Sequence, residues 1–153
     1  MFNNKGFTFL EIIITLVIIG IISAITIPAV SAVIEKKELQ VTAKSMVSLF
    51  RYAQEEAVSA EAQAIITFCK DTPDYYAIEI KREDIILEQK LQKFSKGIEL
   101  FRTDFPRNSF IFDESGAPSE GGQVIIGILG NESMKSNIHV SSGSGRVYIE
   151  EGY

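Results

Sequence analysis

The sequence predicts an α+β fold, in which one long N-terminal α-helix packs on a C-terminal antiparallel β-sheet. Residues 12–34 are 23 consecutive uncharged residues, more than the roughly 20 that a helix needs to cross a bilayer. Apolar side chains then recur at helical spacing over residues 39–60, and from residue 64 the pattern alternates with a period of two. We expect four segments: a leader over 1–6, a transmembrane helix over 7–34, its amphipathic continuation over 35–62 and a β-rich head over 63–153.

The start of the helix carries a single carboxylate. The run Gly6-Phe7-Thr8-Phe9-Leu10-Glu11 leads directly into the uncharged stretch, so Glu11 lies in an otherwise apolar helix. A secretory signal peptide has an apolar core of about 7 to 15 residues and a cleavage site after it. Here the core is longer and the processing point precedes it. From the residues alone, Glu11 also fits an ordinary single-pass anchor whose terminal carboxylate reaches the membrane surface.

This stretch resembles the prepilin signal of type IV pilins and type II secretion pseudopilins, in which a polar leader with a lysine precedes glycine, phenylalanine and, four residues later, glutamate. The resemblance implies that a prepilin peptidase cleaves after Gly6 and methylates Phe7, the new N-terminus. It also implies that Glu11 serves filament assembly by pairing with the methylated amine of Phe7 on a neighbouring subunit. Phe9 departs from the family, where leucine is commoner, but keeps its size and polarity.

Gly20 and Pro28 are the two helix-weakening residues of the apolar run. Proline removes one backbone donor and crowds the carbonyl four residues earlier, at a cost of about 3 kcal/mol in a helix interior. We therefore expect a kink at Pro28, a position where many pilins carry a helix proline. The resemblance implies that this region stretches or melts when subunits pack into a filament, whereas a simple kink relieved by neighbouring side chains is the alternative.

Beyond the apolar run, the helix becomes amphipathic. Its apolar stripe consists of Leu39, Ala43, Met46, Phe50, Ala53, Ala57 and Ala60, at spacings of three and four. Charged residues lie largely off this stripe, so one side of the helix should pack and the other should face water. Because the pattern stops early, we expect the stripe to pack on the chain's own sheet rather than in a coiled coil.

Eight strand candidates follow, each bounded by turn residues. They are Ala64–Cys69, Tyr75–Ile80, Ile85–Leu91, Ile98–Arg102, Ser109–Asp113, Gln123–Leu129, Ile138–Ser141 and Arg146–Glu150. The turns contain Asp71–Asp74, Glu114–Gly116, Gly130–Asn131 and Gly143–Gly145, where proline fixes φ and glycine tolerates positive φ. Short strands at this spacing predict a compact antiparallel head.

Three segments of this region resemble H-type minor pseudopilins of type II secretion and their type IV pilus relatives: Phe50–Ala57, Phe110–Gly116 and Gly145–Ile149. The resemblance implies a structural subunit of a filament, with the prepilin peptidase, other pilins or pseudopilins and an inner-membrane assembly platform as partners. It further implies a single pass through the cytoplasmic (inner) membrane with the head extracytoplasmic, followed by transfer into an extracytoplasmic pilus or pseudopilus.

Charge argues against a nucleic-acid partner and gives no help with orientation. The chain has 15 basic and 20 acidic residues, for a formal net charge of -5, and the excess lies beyond residue 60. Since nucleic-acid binding depends on Lys and Arg, we expect no direct binding of nucleic acid. Lys36, Lys37 and Lys44 follow the apolar run, so a count of basic residues places the C-terminal side in the cytoplasm, opposite to what the family implies.

No enzyme motif is recognisable, and we expect neither catalysis nor a cofactor. His139, the one histidine, has no assignable orienting partner, so it is interpreted as a strand side chain rather than a general base. Cys69, the one cysteine, excludes an internal disulfide and is interpreted as a small buried residue, with an intermolecular bridge or a metal ligand as the alternative. The acidic loop over residues 113–120 lacks EF-hand ligand spacing, and we expect no metal there.

Two functions of different classes fit the sequence. One is a minor pilin or pseudopilin, incorporated into a filament that drives secretion, adhesion, motility or DNA uptake (competence). The other is a singly membrane-anchored extracytoplasmic ligand-binding protein that does not polymerise. Cleavage after Gly6 with methylation of Phe7 distinguishes them, because only the first function requires a prepilin signal.

Overall fold

The computed structural model describes residues 7–70 and 74–150, apart from the side chains of Pro28 and Ala29. One long helix, α1 (Phe9–Ser59), precedes the strands of the described chain. These are β1 (Gln63–Cys69), β2 (Tyr75–Arg82), β3 (Ile85–Lys93), β4 (Ile98–Thr103), β5 (Ser109–Phe112), β6 (Gly122–Ile128), β7 (Asn131–Val140) and β8 (Val147–Glu150). The chain divides into two compact units, residues 1–36 and residues 37–153.

The helix ends at Ser59, three residues before the predicted boundary at residue 62. Glu61 has a left-handed backbone with a φ of 47°, through which a right-handed helix cannot continue. The N–H of Ala62 donates to the carbonyl of Ala57 at 2.9 Å. The N–H of Glu61 donates to the carbonyl of Val58 at 3.3 Å. These two bonds form a Schellman motif, which satisfies carbonyls that the last turn would otherwise leave unpaired.

The predicted apolar stripe of α1 lies in the core of the second unit. Its members between residues 39 and 57 are at most 5% exposed, and Ala60 is half-buried against the same core. The strands supply the other side of this core through alternate positions, because successive side chains of a strand point to opposite faces. The prediction that the stripe packs on the chain's own β-structure is confirmed.

Phe50 lies at the centre of this contact. Its ring meets those of Phe68, Tyr76 and Phe110 nearly edge-on, with centroids 5.9 Å, 6.2 Å and 5.5 Å away. Edge-to-face pairs of this kind are favourable because the positive ring edge meets the negative ring face. One helical side chain therefore joins α1 to three neighbouring strands.

The strands form two four-stranded antiparallel sheets. Sheet A has the order β3-β2-β1-β5, and sheet B has the order β4-β6-β7-β8. The antiparallel arrangement confirms the predicted fold class, whereas the division into two sheets was not predicted. Asp74, 8% exposed just before β2, links the sheets because its carboxylate accepts the N–H of Leu100 in β4 at 2.7 Å.

Strand β7 is longer than the sequence predicted. It begins at Asn131 instead of Ile138, so the two-residue turn Leu129–Gly130 joins it directly to β6, with Gly130 at a φ of 79°. The prediction missed residues 131–137 because they are mostly polar and lack apolar alternation. Backbone pairing of Asn131 and of residues 135–137 with β6, rather than burial, makes this segment part of the strand.

Cys69 is not the buried residue that the sequence predicted. It is a free thiol at the end of β1 and only half-buried. The burial pattern of β1 alternates, so Phe68 points into the core and Cys69 points to the other face. The segment was interpreted as wholly buried because its apolar run conceals this alternation.

Candidate functional site

The first turn of α1 is closed by a reciprocal pair of hydrogen bonds between Thr8 and Glu11. The N–H of Glu11 donates to Oγ1 of Thr8 at 3.3 Å, and the N–H of Thr8 donates to Oε2 of Glu11 at 3.4 Å. The first N–H groups of a helix lack partners within it, and this capping box satisfies two of them. The Thr-x-x-Glu spacing before an apolar run was readable in the sequence, but the prediction overlooked it. Glu11 therefore has a local partner in the single chain.

Phe7 and Glu11 are brought to the same end of the helix. Phe7 precedes α1 and is 81% exposed, while Glu11 lies in its first turn. Gly6, the other residue of the predicted cleavage site, lies outside the described residues. The positive end of the helix dipole also lies here, which favours a carboxylate at this position.

The residues that follow expose a continuous apolar surface. The large apolar side chains described between Phe7 and Ile34 are 42% to 81% exposed. By length and composition, α1 is the one helix among the described residues that can cross a membrane. Burying a large aliphatic side chain is worth roughly 1.5 to 3 kcal/mol, so this segment requires an apolar environment such as lipid or other helices.

Three hydroxyl groups in this apolar segment donate to carbonyls of the preceding helical turn. Thr15 donates to the carbonyl of Glu11, Thr26 to that of Ile22 at 2.8 Å, and Ser31 to that of Ile27 at 3.2 Å. Such bonds from a side chain to the preceding turn remove the cost of placing a free hydroxyl in hydrocarbon. These three residues are therefore compatible with lipid despite their hydroxyl groups.

Helix α1 continues through Pro28. The side chain of Pro28 lies outside the described residues, so the kink stays a prediction. Gly20, the other residue expected to weaken the helix, has no atom within 4 Å of the position that a Cβ would occupy. Space around Gly20 is therefore open in the single chain, and the residue is not required there by a close contact.

Two family models match the chain. The prokaryotic N-terminal methylation motif matches residues 1–27, and the type II transport protein GspH matches residues 42–145. The chain belongs to the GspH family. The two matches cover both units, and their order along the chain is that of a minor pseudopilin. No curated protein matches this GspH-family chain at a significant level.

Solved structures share the fold of the GspH-family chain. The type IV minor pilin FimU of Pseudomonas aeruginosa PAO1 is 20% identical, with a TM-score of 0.61 over 76% of this chain and 91% of FimU. The minor pseudopilin EpsH from the type 2 secretion system of Vibrio cholerae is 14% identical, with a TM-score of 0.59 over 74% of this chain and 96% of EpsH. The helix and antiparallel sheets described above thus form a pilin-like fold.

A second candidate site lies on the outer face of sheet B, where His139 has a partner that the sequence did not show. Its Nε2 lies 2.8 Å from Oε2 of Glu150, and its ring stacks on Tyr148 with centroids 5.3 Å apart. The register of β7 and β8 places Tyr148 directly opposite His139. An open groove of about 540 Å³ adjoins them, and Asp104 lines it while paired with Arg102 at 2.8 Å.

This groove has the composition of a polar surface rather than of a nucleophilic centre. Ser141 and Ser142 line it, but neither hydroxyl hydrogen-bonds His139 in the part of the chain that the structure describes. A serine nucleophile needs a base within hydrogen-bond reach. The family and fold are those of structural pilin and pseudopilin subunits.

The acidic loop after β5 uses its first carboxylate for its own turn. Oδ1 of Asp113 accepts bonds from the hydroxyl of Ser115 at 2.6 Å, its N–H at 2.8 Å and the N–H of Ala117 at 3.0 Å. The Ser115 hydroxyl and then the Ala117 N–H lower the pKa of Asp113. Among the described residues, no group of three or more His, Cys, Asp or Glu side chains could hold a metal ion.

Proposed function

We propose that this minor pseudopilin-type chain is made as a precursor, cleaved after Gly6 and methylated on Phe7. The single observation that carries the proposal is the apolar first part of α1, in which the described large apolar side chains up to Ile34 are exposed and one carboxylate, Glu11, lies in the first turn. The match of residues 1–27 to the N-terminal methylation motif supports it. The helix then anchors the chain in the cytoplasmic membrane, with the head outside the cytoplasm, until an assembly platform moves it into the filament.

Glu11 orders the chain within that filament. Its carboxylate pairs with the methylated amine of Phe7 on the neighbouring subunit, since both charges lie at the same end of otherwise apolar helices. Two unit charges about 4 Å apart attract by about 4 kcal/mol at an effective dielectric of 20. Desolvation offsets part of this attraction, so the pair sets the axial register more than it adds affinity. In the single chain, the capping box holds the carboxylate in place.

The test is mass spectrometry of the mature N-terminus from native membranes. A chain that begins at Phe7 and carries one added methyl group is the expected result. The Gly6→Val variant should keep its leader, because a branched side chain obstructs the approach of a peptidase to the bond. An unprocessed wild-type chain would instead indicate an anchored binding protein that does not polymerise.

A further inference from the structure

Two loops of the head meet at one side chain of α1. The first loop, residues 113–121, joins β5 to β6, and the second loop, residues 141–146, joins β7 to β8. The amide nitrogen of Gln54 donates to the carbonyl of Gly116 in the first loop at 2.7 Å. A Cβ on Gly145 in the second loop would overlap this same amide nitrogen. The side chain of Gln54 therefore packs against both loops.

The two glycines at this junction are packed against each other and against the helix. Both are buried, although most residues of their loops are exposed. A Cβ on Gly145 would lie 2.8 Å from the carbonyl oxygen of Gly116. A Cβ on Gly116 would lie 3.0 Å from a methyl group of Val58 and 3.3 Å from Cγ of Gln54. Because close-packed groups transmit displacement to their neighbours, neither loop can shift here without moving the other loop or the amide.

The same loops meet a second time at the polar groove of sheet B. A Cβ on Gly121, at the end of the first loop, would lie 2.7 Å from the backbone nitrogen of Ser142 in the second loop. Gly121, Ser141 and Ser142 line the groove, and none of its lining residues belongs to α1. Part of the groove is therefore formed where the two loops come together.

Each loop also has hydrogen bonds of its own. The N–H of Gly116 donates to the carbonyl of Asp113 at 2.8 Å, and the N–H of Gly145 donates to that of Ser141 at 3.1 Å. The N–H of Ser141 donates to the carbonyl of Arg146 at 3.0 Å. These bonds close each loop separately, so they do not by themselves join one loop to the other.

We propose that Gln54 is a latch between α1 and the two loops, and that the loops open as one unit when its amide leaves the carbonyl of Gly116. Such local opening occurs without unfolding of the core. It releases Gly145 from the amide and separates Gly121 from Ser142, which widens the groove. Helix α1 thereby controls the shape of a groove to which it contributes no lining residue. The latch lies wholly within residues 37–153 and does not depend on processing or assembly.

The test is amide hydrogen exchange, measured by NMR on the full-length chain in mild detergent. Gln54→Met keeps a side chain of similar length but has no donor for the carbonyl of Gly116. The N–H groups of Gly116 in the first loop and of Ser141 and Gly145 in the second should all exchange roughly tenfold faster, because a buried carbonyl loses its partner. The change at Ser141 reports on the groove that this residue lines.

Two controls separate the latch from other effects. Glu55→Met introduces the same side chain at the next position of α1, which is exposed, and it should leave exchange in both loops unchanged. The N–H of Ile66, in a strand paired on both sides, should exchange at the wild-type rate in every variant. Faster exchange at Ile66 to the same degree as in the loops would mean global unfolding and would overturn the inference.

A pair of glycine substitutions tests the link between the loops. Gly143 and Gly145 both have positive φ, at 82° and 62°, so an alanine at either position is strained. Only Gly145→Ala also displaces the amide of Gln54, because the space around Gly143 is open. Gly145→Ala should therefore speed exchange at Gly116, in the other loop, roughly tenfold, whereas Gly143→Ala should not change it.

Three further results would overturn the latch. One is wild-type exchange at Gly116 and Gly145 in Gln54→Met, which would show that the amide holds neither loop. Another is faster exchange in one loop alone, which would show that the loops open independently. The third is an equal effect of Gly143→Ala and Gly145→Ala on Gly116, which would assign the change to backbone strain.

Discussion

At the scale of single residues, Glu11 has two roles that must be separated. The structure shows its carboxylate closing the first turn of α1 with Thr8, whereas the proposed filament uses the same carboxylate between subunits. A glutamine at this position keeps an acceptor oxygen for the N–H of Thr8, because capping boxes accept either side chain. The glutamine therefore removes only the negative charge. A leucine removes both the charge and the acceptor oxygen.

Glu11→Gln should therefore impair incorporation into the filament as strongly as Glu11→Leu. Membrane insertion, cleavage after Gly6 and head folding should stay intact in both variants. The measurement is co-purification of each mature variant with partner pilins from membranes, relative to wild type. If Glu11→Gln assembles normally and Glu11→Leu does not, the carboxylate acts through the helix cap, and the pairing with Phe7 is refuted.

At the scale of elements, the C-terminal end of α1 carries a residue in an unfavourable conformation. Glu61 occupies the left-handed position of the Schellman motif, which most helices fill with glycine. The guanidinium of Arg82 donates to the carbonyl of Ala60 beside it. A cation at this end of a helix is favourable because the last carbonyls carry partial negative charge.

Glu61→Gly should raise the free energy of unfolding by about 1 kcal/mol, since glycine adopts the left-handed conformation without a steric penalty. The matched control is Glu55→Gly, an exposed position inside the same helix, which should lower stability by about 1 kcal/mol. Urea unfolding of the full chain in mild detergent measures both. A loss of stability in Glu61→Gly would contradict the cap assignment.

The contact between α1 and β3 predicts a dependence on pH. Hydrogen bonds from Lys90 and then Tyr52 lower the pKa of Glu88. The ionised carboxylate therefore stabilises the fold at pH values above the pKa that Glu88 has in the unfolded chain. That contribution is lost as the pH falls through the folded pKa. Wild type should therefore melt at a higher temperature than Glu88→Gln at pH 7, and the difference should disappear in acid. A difference that is constant with pH would show that the charge of Glu88 is not involved.

At the scale of the whole molecule, the second unit contains its own core. Its helix stripe, both sheets and the buried carboxylate of Asp74 are contained in residues 37–153. The exposed aliphatic surface of α1 lies mostly before residue 37. The exposed apolar surface of α1 therefore lies mostly in the first unit, whereas the core that stabilises the head lies in the second.

A fragment of residues 37–153 should be a soluble monomer that unfolds cooperatively. Its circular dichroism spectrum should show mixed helix and strand, because α1 contributes residues up to Ser59 and the strands follow. Its affinity for duplex DNA should be weak at physiological salt, given the acidic balance beyond residue 60. An insoluble or non-cooperative fragment would show that the first unit is needed for folding.

Sequence by itself determined the features that depend on local pattern. The uncharged run, the apolar stripe of α1 and the position of Glu11 relative to Phe7 follow from spacing along the chain, and they led to both the fold class and the family. Strand positions followed equally well wherever side chains alternate, as in β1 and β2. The capping box of Thr8 and Glu11 could also have been predicted from the Thr-x-x-Glu spacing alone.

Tertiary structure alone decided the features that depend on pairing between distant residues. Strand order placed β3 at an open edge, and no local pattern specifies which strands are neighbours. The register of β7 and β8 brought His139 to Tyr148 and Glu150. The mostly polar residues 131–137 joined β7 because Asn131 and residues 135–137 pair with β6. The half-burial of Cys69 followed from the alternation of β1, in which the neighbouring residue, Phe68, points into the core. Backbone hydrogen bonds are the same for every side chain, so the sequence encodes them only indirectly.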